Sequence, residues 1–590
     1  MCTKTIIAKE DARPALRQRR GKAATATEIT VEGIEKRKRK EAISLCESKS
    51  KESAIAAPHS IASASLAAAV ERMAQRAKAL KKPSYTMAEV SQHRNVRTSR
   101  DGDVADTWIV YESLVLDVSN WTSLHPGGTE TILRFAGGDA TDEIRSFHPP
   151  QVLEKRLGAF VVGTVSDAPE PTGLVSDFRE LGKEFEMRGY YESGMSYYWF
   201  RLATFLTILA CVWVLVFMNR REYDPETKSG HSFGLTLVAG FFLAAFWQQM
   251  AFIGHDCGHL TTHYDSSKDL PFGYVVANTL TGISLSWWKS THNVHHAVPN
   301  TVDCDPDIAL LPAIAIDEYM FNSLYNKFHK RLMTFDWAAR KIFVPHQHLL
   351  YYPIMCVARF NLIIQGLIHL AKEEHVKNRG LELALMAFYV FWLSTLVWFV
   401  PGGVRQQTAF VLFSHAIAGL LNVQITLSHF SREVFTNSSL DTPLDPSPSS
   451  VEKKSMDDVD NKPALSCDSD DGDSISSSTQ WHRDPGPRYG GDFYTRNIGS
   501  SLDVECPPSI DWFHGGLQFQ TIHHLYPRVG RRYLRSCQEE VRTLCRTHGL
   551  NYEAKSFLDC NYEVYQHLKD KARLAGEWSP VIWDTMCAHG

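Results

Sequence analysis

Residues 289–299 read KSTHNVHHAVP, placing His292, His295 and His296 in a single HxxHH pattern. On a helix, positions i, i+3 and i+4 share a face, so three imidazoles would stand together. Histidine makes up 25 of 590 residues. At that frequency an HxxHH is expected by chance only about 0.04 times in the chain, whereas an HxxxH pair is expected about once. Two further clusters accompany it. HDCGH carries His255 and His259, and QTIHH carries Gln520, His523 and His524. Faces of this kind can converge on metal through nitrogen donors. Imidazole suits iron, zinc and copper alike, so ligand type alone does not choose among them. The competing reading is a set of hydrogen-bonded interfacial histidines, and it fits less well because each cluster borders a strongly apolar segment.

Four of those segments have the length of a bilayer crossing, about 20 residues: 197–218, 233–254, 381–400 and 408–430. A helix apolar on every face for that distance reads as a membrane span. A fifth run, 348–370, is interrupted by Arg359, Asn361, Gln365 and His369. Charge at mid-bilayer is costly, so this run is expected along the interface. Residues 270–288, broken by Gly273 and Gly282, are expected to be re-entrant or interfacial. With two spans before box one and two more between boxes two and three, all three boxes come to the same side.

Outside the spans the composition shifts sharply. Residues 1–80 are basic and poor in aromatics and read as a disordered, cytosolic tail. Residues 434–480 are rich in Ser, Asp and Pro and read as a disordered acidic insertion. The twelve cysteines form no CxxC pair, which fits free thiols rather than a secreted disulfide scaffold. A net charge of -4 and a mean hydropathy of -0.22 give no sign of a nucleic-acid partner. The resulting layout is a tail (1–80), a compact unit (81–166), a linker (167–196), a membrane unit in two parts (197–433 and 481–590) and the insertion (434–480).

The compact unit contains HPGG at 125–128 and a second histidine, His148. A haem iron held by two imidazoles has no open position, so it passes electrons and does not bind oxygen. Gly127 and Gly128 would allow close backbone approach to a porphyrin edge, and Leu116, Trp121, Ile132 and Phe135 offer an apolar wall. An isolated HPGG would also fit a surface turn. Together with the lead-in WIVYESLVLDVSNW, the region resembles cytochrome b5, and that resemblance implies haem b with His125 and His148 as axial ligands. The Pro-Pro after His148 departs from the family pattern and bears on the local turn only.

A cytochrome b5-like unit ahead of HxxxH, HxxHH and QxxHH boxes resembles the front-end membrane desaturases. The resemblance covers nearly all of the chain except the tail and the insertion. It implies an α+β haem domain followed by a mostly helical multi-pass domain with about four transmembrane helices. It implies two non-haem irons held by His255, His259, His292, His295, His296, Gln520, His523 and His524, with O₂ as co-substrate. A further ligand is expected near the last span, and His429 in TLSHF is the candidate; His263 is left between a supporting and a structural role. Electrons would come from NADH through a separate cytochrome b5 reductase, at the cytosolic face of the endoplasmic reticulum membrane. Trp287, Trp288, Trp512 and Phe513 would line a substrate channel or form an interfacial belt.

The substrate would be a lipid chain, either an acyl group or the long-chain base of a sphingolipid. Thr521-Ile522 stands where the common third box has Ile-Glu. The Ile before the His pair is similar to fungal Δ8 sphingolipid desaturases, and the sphingolipid reading is preferred on that ground. A b5-fused hydroxylase would differ in product mass. A plain electron carrier would leave eight histidines without a role.

Overall fold

The computed structural model describes residues 58–97, 104–192, 194–227, 229–373, 375–436 and 492–587. The first helix, α1 (Pro58–Ala79), lies within the expected tail. Leu66, Val70, Met73 and Ala77 recur at helical spacing and pack on the core of the compact unit. An Ala- and Ser-rich composition hides that stripe, and the tail reading holds at most for residues before 58, which lie outside the described set.

The compact unit is a five-stranded sheet in the order β1-β5-β4-β3-β2. Its strands are β1 (Ser84–Tyr85), β2 (Arg94–Arg97), β3 (Val104–Tyr111), β4 (Leu114–Asp117) and β5 (Val161–Val165). β3 and β4 form a hairpin that pairs Trp108 with Asp117 and Tyr111 with Leu114. Its two-residue turn puts Glu112 at φ 55°, the twist a tight hairpin needs. One sheet face buries Ile109, Tyr111, Leu114 and Leu116. The other buries Val110 and Val115 with Val90. Short helices α2 (Thr129–Leu133), α3 (Thr141–Phe147) and α4 (Pro150–Arg156) frame the first face. The Pro-Pro after His148 is accounted for, because Pro149 caps α4 and Pro150 occupies its first position, where no backbone N–H is needed.

Helix α5 (Gly173–Met187) links this unit to the membrane helices α6 (Met195–Arg221) and α7 (Phe233–Gly258). Then come α8 (Ser266–Gly273), running on as π-helical turns over Tyr274–Thr281, α9 (Leu285–Ala297) and α10 (Gln347–Lys372). Helices α11 (Arg379–Phe399), α12 (Gly403–Leu421) and α13 (Val423–Leu427) follow. After the insertion come α14 (Phe493–Gly499), α15 (Gln520–Leu525), α16 (Leu534–Thr547) and α17 (Phe557–Cys587).

Among the described residues, five helices are long and apolar enough to cross a membrane: α6, α7, α11, α12 extended to Leu427, and the segment Ala339–Lys372 that contains α10. Contacts at their ends sort them. The start of α6 meets the end of α7 through Tyr198 and Asp256. At the other end, Arg220 bonds the Trp398 carbonyl and Gln406 bonds Thr236. Four helices therefore run between a histidine-bearing end and a far end. α10 does not. Tyr351 near its start meets Thr426, its middle stacks Phe360 on His415 at 4.2 Å, and Gly366 packs on Ser284. Just beyond its end, Asn378 bonds Tyr274, which follows directly on α8. Both ends of α10 thus lie toward the histidines, as the interfacial reading expects, although its length and hydropathy would permit a crossing. Its cation is also hidden from lipid: Arg359 is 2% exposed and sits 4.0 Å over the Trp247 ring.

The 266–297 segment is a re-entrant hairpin. Gly273 abuts Cys257 and Ala277 abuts Gly254, so the π-helical arm runs back alongside α7. Gly282, at φ 74° and with a built Cβ 2.4 Å from the Tyr389 ring, makes the turn. Buried Glu382 on α11 then accepts from Asn278, Ser284 and the Ser286 backbone, which fixes the start of α9. Val434 and Phe435 are buried core residues, and the Phe435 backbone pairs with Asn300 and Val302. The folded chain therefore continues past 433, the expected edge of the insertion; residues 437–491 lie outside the described set.

Candidate metal centres

His125 follows a short 3₁₀ turn and His148 caps the end of α3. Their rings face each other with centroids 5.9 Å apart. That leaves room for one metal ion at bonds of about 2 Å to each ring. Each Nδ1 is held by a backbone carbonyl, Gly128 for His125 (3.2 Å) and Ile144 for His148 (3.0 Å). The Nε2 lone pairs are thereby turned toward the gap. A Cβ on Gly127 would lie 2.8 Å from the His125 ring, and Gly128 has φ 94°, so both glycines are needed for the loop. Burial lowers the pKa of His125, and burial followed by the neighbouring His125 lowers His148 to about 4. Both rings are neutral, and so able to ligate, at ordinary pH.

The three boxes, at 255–259, 292–296 and 520–524, meet further along the chain. His255 lies in the last turn of α7 and His259 caps it; the HxxHH lies on α9, QTIHH forms α15, and His429 follows α13. Their ligand atoms form two groups, each within 4.8 Å: His255, His259, His292, His296 and His523, and His295, His429 and His524. The helix explains the division. Neighbouring residues point about 100° apart, so each His-His pair contributes one ring to each group. His296 and His524, one from each group, stack at 4.2 Å and 16°.

The donor set suits metal. The Nε2 atoms of His255, His259, His295, His429 and His523 are buried without a hydrogen-bond partner. Those of His292 and His296 face each other at 3.0 Å. Burying an unpaired polar group costs about 1–3 kcal/mol, a penalty that coordination removes. The opposite nitrogens are anchored: His255 Nδ1 to Asp256 (3.3 Å), His295 to Asp305 (2.9 Å), His429 to the Ser500 carbonyl (2.9 Å) and His524 to Asn497 (3.2 Å). Such partners fix tautomer and ring direction. Burial and neighbouring histidines hold His259, His292, His296, His523 and His524 well below the usual range. Burial also pulls on His295, but Asp305 and Asp307 outweigh it and lift it to about 9.

Gln520 lies beside the second group. Its Nε2 is 3.3 Å from His524 Nε2 and its Oε1 is buried without a partner. Turning the amide over presents that oxygen as a fourth donor. His263 is in neither group; Asp269 holds its ring and backbone, so it is structural. Trp288 stacks on His292 at 4.3 Å and walls the first group, whereas Trp512 is 45% exposed. The Phe513 carbonyl accepts from Gln249. A cavity reaches His255, His259 and His523 from the 515–517 loop and is bounded by Val529, Arg531 and Leu534. Gly515 and Gly516 are required there: both have positive φ, and a Cβ on Gly515 would lie 2.0 Å from Phe252.

The anchoring residues are what sequence reasoning missed. Asp256 is inside HDCGH and receives Tyr198 (2.7 Å) and Arg531 (2.8 Å) as well. Asp305 lies in DCDPD just after box two, a position that its nearness to the HxxHH could have flagged. Asn497 lies beyond the insertion, with no local pattern to mark it. Thr521 and Ile522 are fully buried but turned elsewhere: the Thr521 backbone bonds Asp503, and Ile522 is in the core with Phe178 and Tyr526. Ile522 therefore packs in the protein interior rather than on an open surface.

The chain matches the fatty acid desaturase family over residues 232–556 and the cytochrome b5-like haem/steroid binding domain over 86–166. It is 31% identical over 515 residues to the Delta(8)-fatty-acid desaturase of Helianthus annuus, a match covering 86% of this chain and 97% of that protein. It is 30% identical over 490 residues to the acyl-lipid (9-3)-desaturase of Borago officinalis, covering 82% and 95%. To the Delta 8-(E)-sphingolipid desaturase of Komagataella phaffii it is 28% identical over 574 residues, covering 82% and 92%.

Proposed function

From the premise that this chain belongs to the fatty acid desaturase family and carries a cytochrome b5-like domain ahead of it, we propose that it is a Δ8 desaturase of the sphingolipid long-chain base. The reaction would remove one hydrogen from each of two neighbouring methylenes: –CH₂–CH₂– + O₂ + 2 e⁻ + 2 H⁺ gives –CH=CH– + 2 H₂O. When bound, haem at His125 and His148 supplies single electrons, and iron in the two histidine groups supplies an oxidant made from O₂. The ligands would be His255, His259, His292, His296 and His523 for one iron, and His295, His429, His524 and Gln520 for the other.

The observation that carries the desaturase reading is the gathering of eight histidines into two groups, five of them with a buried Nε2 that has no partner. The protein's own work is placement. Asp256, Asp305, Asn497 and the Ser500 carbonyl hold the rings, and the apolar surroundings exclude water. The Δ8 position is supported because both the plant fatty-acid and the fungal sphingolipid relatives bear it in their names. The fungal names support the long-chain base, and the plant names favour an acyl chain as the second reading. A cytochrome b5 reductase using NADH is the expected donor, and the cytosolic face of the endoplasmic reticulum the expected setting.

The test is lipid mass spectrometry of a host that lacks Δ8 unsaturation and expresses this chain. Long-chain bases lighter by two hydrogens, with fragments locating the bond at C8, are expected. Two-hydrogen loss in acyl chains alone would favour the second reading, and gain of one oxygen would replace desaturation by hydroxylation.

A further inference from the structure

The haem unit rests on the box helices through residues that no ligand role explains. Phe147, directly before His148, meets His296 edge-on, with ring centroids 6.1 Å apart at 88°. Arg528, four residues after His524, donates to the His148 carbonyl at 3.2 Å. Asn293, inside HNVHH, lies 3.5 Å from the Gly127 carbonyl, and Ser146 lies 3.5 Å from that of Leu525. Residues of box two and residues just after box three thus touch both halves of the haem pocket.

Charge fixes the same contact. Arg179 on the linker helix α5 grips Asp142 with two nitrogens, at 2.7 and 2.9 Å. On α14, Tyr494 reaches Asp142 at 3.2 Å and Arg496 pairs with Glu143 at 2.8 Å, its side chain only 4% exposed. The next residue, Asn497, holds His524. One short helix therefore ties the haem-ligand helix α3 to a box-three histidine. A unit tethered only by a flexible linker would not bury two ion pairs in this way, because each buried charge costs several kcal/mol when left unpaired.

We propose that the haem unit works docked on boxes two and three, and that Phe147 is the positioning residue that sets His148 against His296 for electron passage. This rests on the desaturase reading above. Haem held by His125 and His148 would supply one electron per passage to metal held on the His296 side, going from ferrous to ferric as it does so, and two passages would supply the two electrons of one double bond, with the external one-electron donor reducing the haem again after each. Neither step requires α3 to leave the box helices.

The full-length, haem- and iron-loaded protein in nanodiscs is compared as wild type, Phe147→Ala, Asp142→Arg and Asp142→Arg with Arg179→Asp. Haem absorbance and iron content should match in all four. Hydrogen exchange of 141–148 should be slow in the wild type and faster in Asp142→Arg. Chemical reduction of the haem should be unchanged, while its reoxidation under O₂ with lipid should slow about tenfold or more in Phe147→Ala, a loss of the size that misplacement causes. The double charge swap should recover both protection and rate. Wild-type reoxidation in Phe147→Ala, or no recovery in the double swap, overturns the proposal. If Phe147→Ala loses haem, the charge-swap pair alone decides. A wild type that makes no desaturated lipid, yet shows these differences, would remove the desaturase reading and leave the docking intact.

Discussion

Asp305→Asn should release metal from the second histidine group while leaving the haem untouched. The Asp305 carboxylate is fully buried and takes three donors on two oxygens: His295 Nδ1 at 2.9 Å, the Asn300 backbone at 2.8 Å and the Asp307 backbone at 2.9 Å. Asparagine has the same shape but one acceptor oxygen. Whichever way its amide turns, at least one donor faces an NH₂, and a buried donor so orphaned costs about 1–3 kcal/mol. His295 also loses the anchor that points its Nε2 at His429 and His524. Losing a partner of this kind typically weakens metal binding about 10- to 100-fold. The assay is a chelator titration of the purified full-length protein, following iron per haem, with helix content checked by circular dichroism. The expected result is release of part of the iron at a chelator concentration at least about tenfold lower than for the wild type. A wild-type titration curve in a folded variant would show that Asp305 does not support a metal ligand.

His125→Ala should abolish the bis-imidazole haem spectrum, read by absorbance, and nearly all electron delivery to the lipid reaction. His523→Ala and His524→Ala should each remove desaturation with the haem spectrum unchanged; because the two rings belong to different groups, iron titrations of the two variants should lose different fractions. Deleting 440–485, which spares buried Val434 and Phe435, should leave thermal stability and iron loading near the wild type, since loop length costs closure entropy only logarithmically. Ile522→Glu should lower the melting temperature and expression, because a carboxylate would enter the core beside Phe178 and Tyr526; a stable variant with altered product lipids would instead restore this position to substrate choice.

Legibility followed distance along the chain. The candidate haem residue His125 and the boxes are visible because HPGG marks a loop and the histidines of each box lie within about a helical turn of one another. His429 was reachable because it ends the last apolar run. The division of each His-His pair between two centres follows from helix geometry, but which ring goes to which group needed the packing of α7, α9 and α15. Asp305 has only its nearness to the HxxHH to mark it, and Asn497, past the insertion, has nothing, because an acid or amide has no signature until its imidazole is placed. The helix over Pro58–Ala79 is hard to see in sequence because alanine and serine dominate its composition while four apolar side chains do the packing. Thr521 and Ile522 are a related case, since position beside a ligand does not say which way a side chain points.

The placement of α10 and the 266–297 hairpin has a mechanical consequence. Four helices reach the far end of the described bundle, but at the histidine-bearing end they are joined by α10, both of whose ends lie there, and by the 266–297 hairpin, which enters and turns back. The described bundle therefore carries more helical elements at its histidine-bearing end than at its far end. In a bilayer such a bundle displaces more lipid from one leaflet than from its partner, and the strain it imposes is relieved where that leaflet is stretched. Stiffening or thickening the lipid should then push against the histidine-bearing end first, on the helices that frame the metal centres, and should do so without any change in the bundle's span across the membrane.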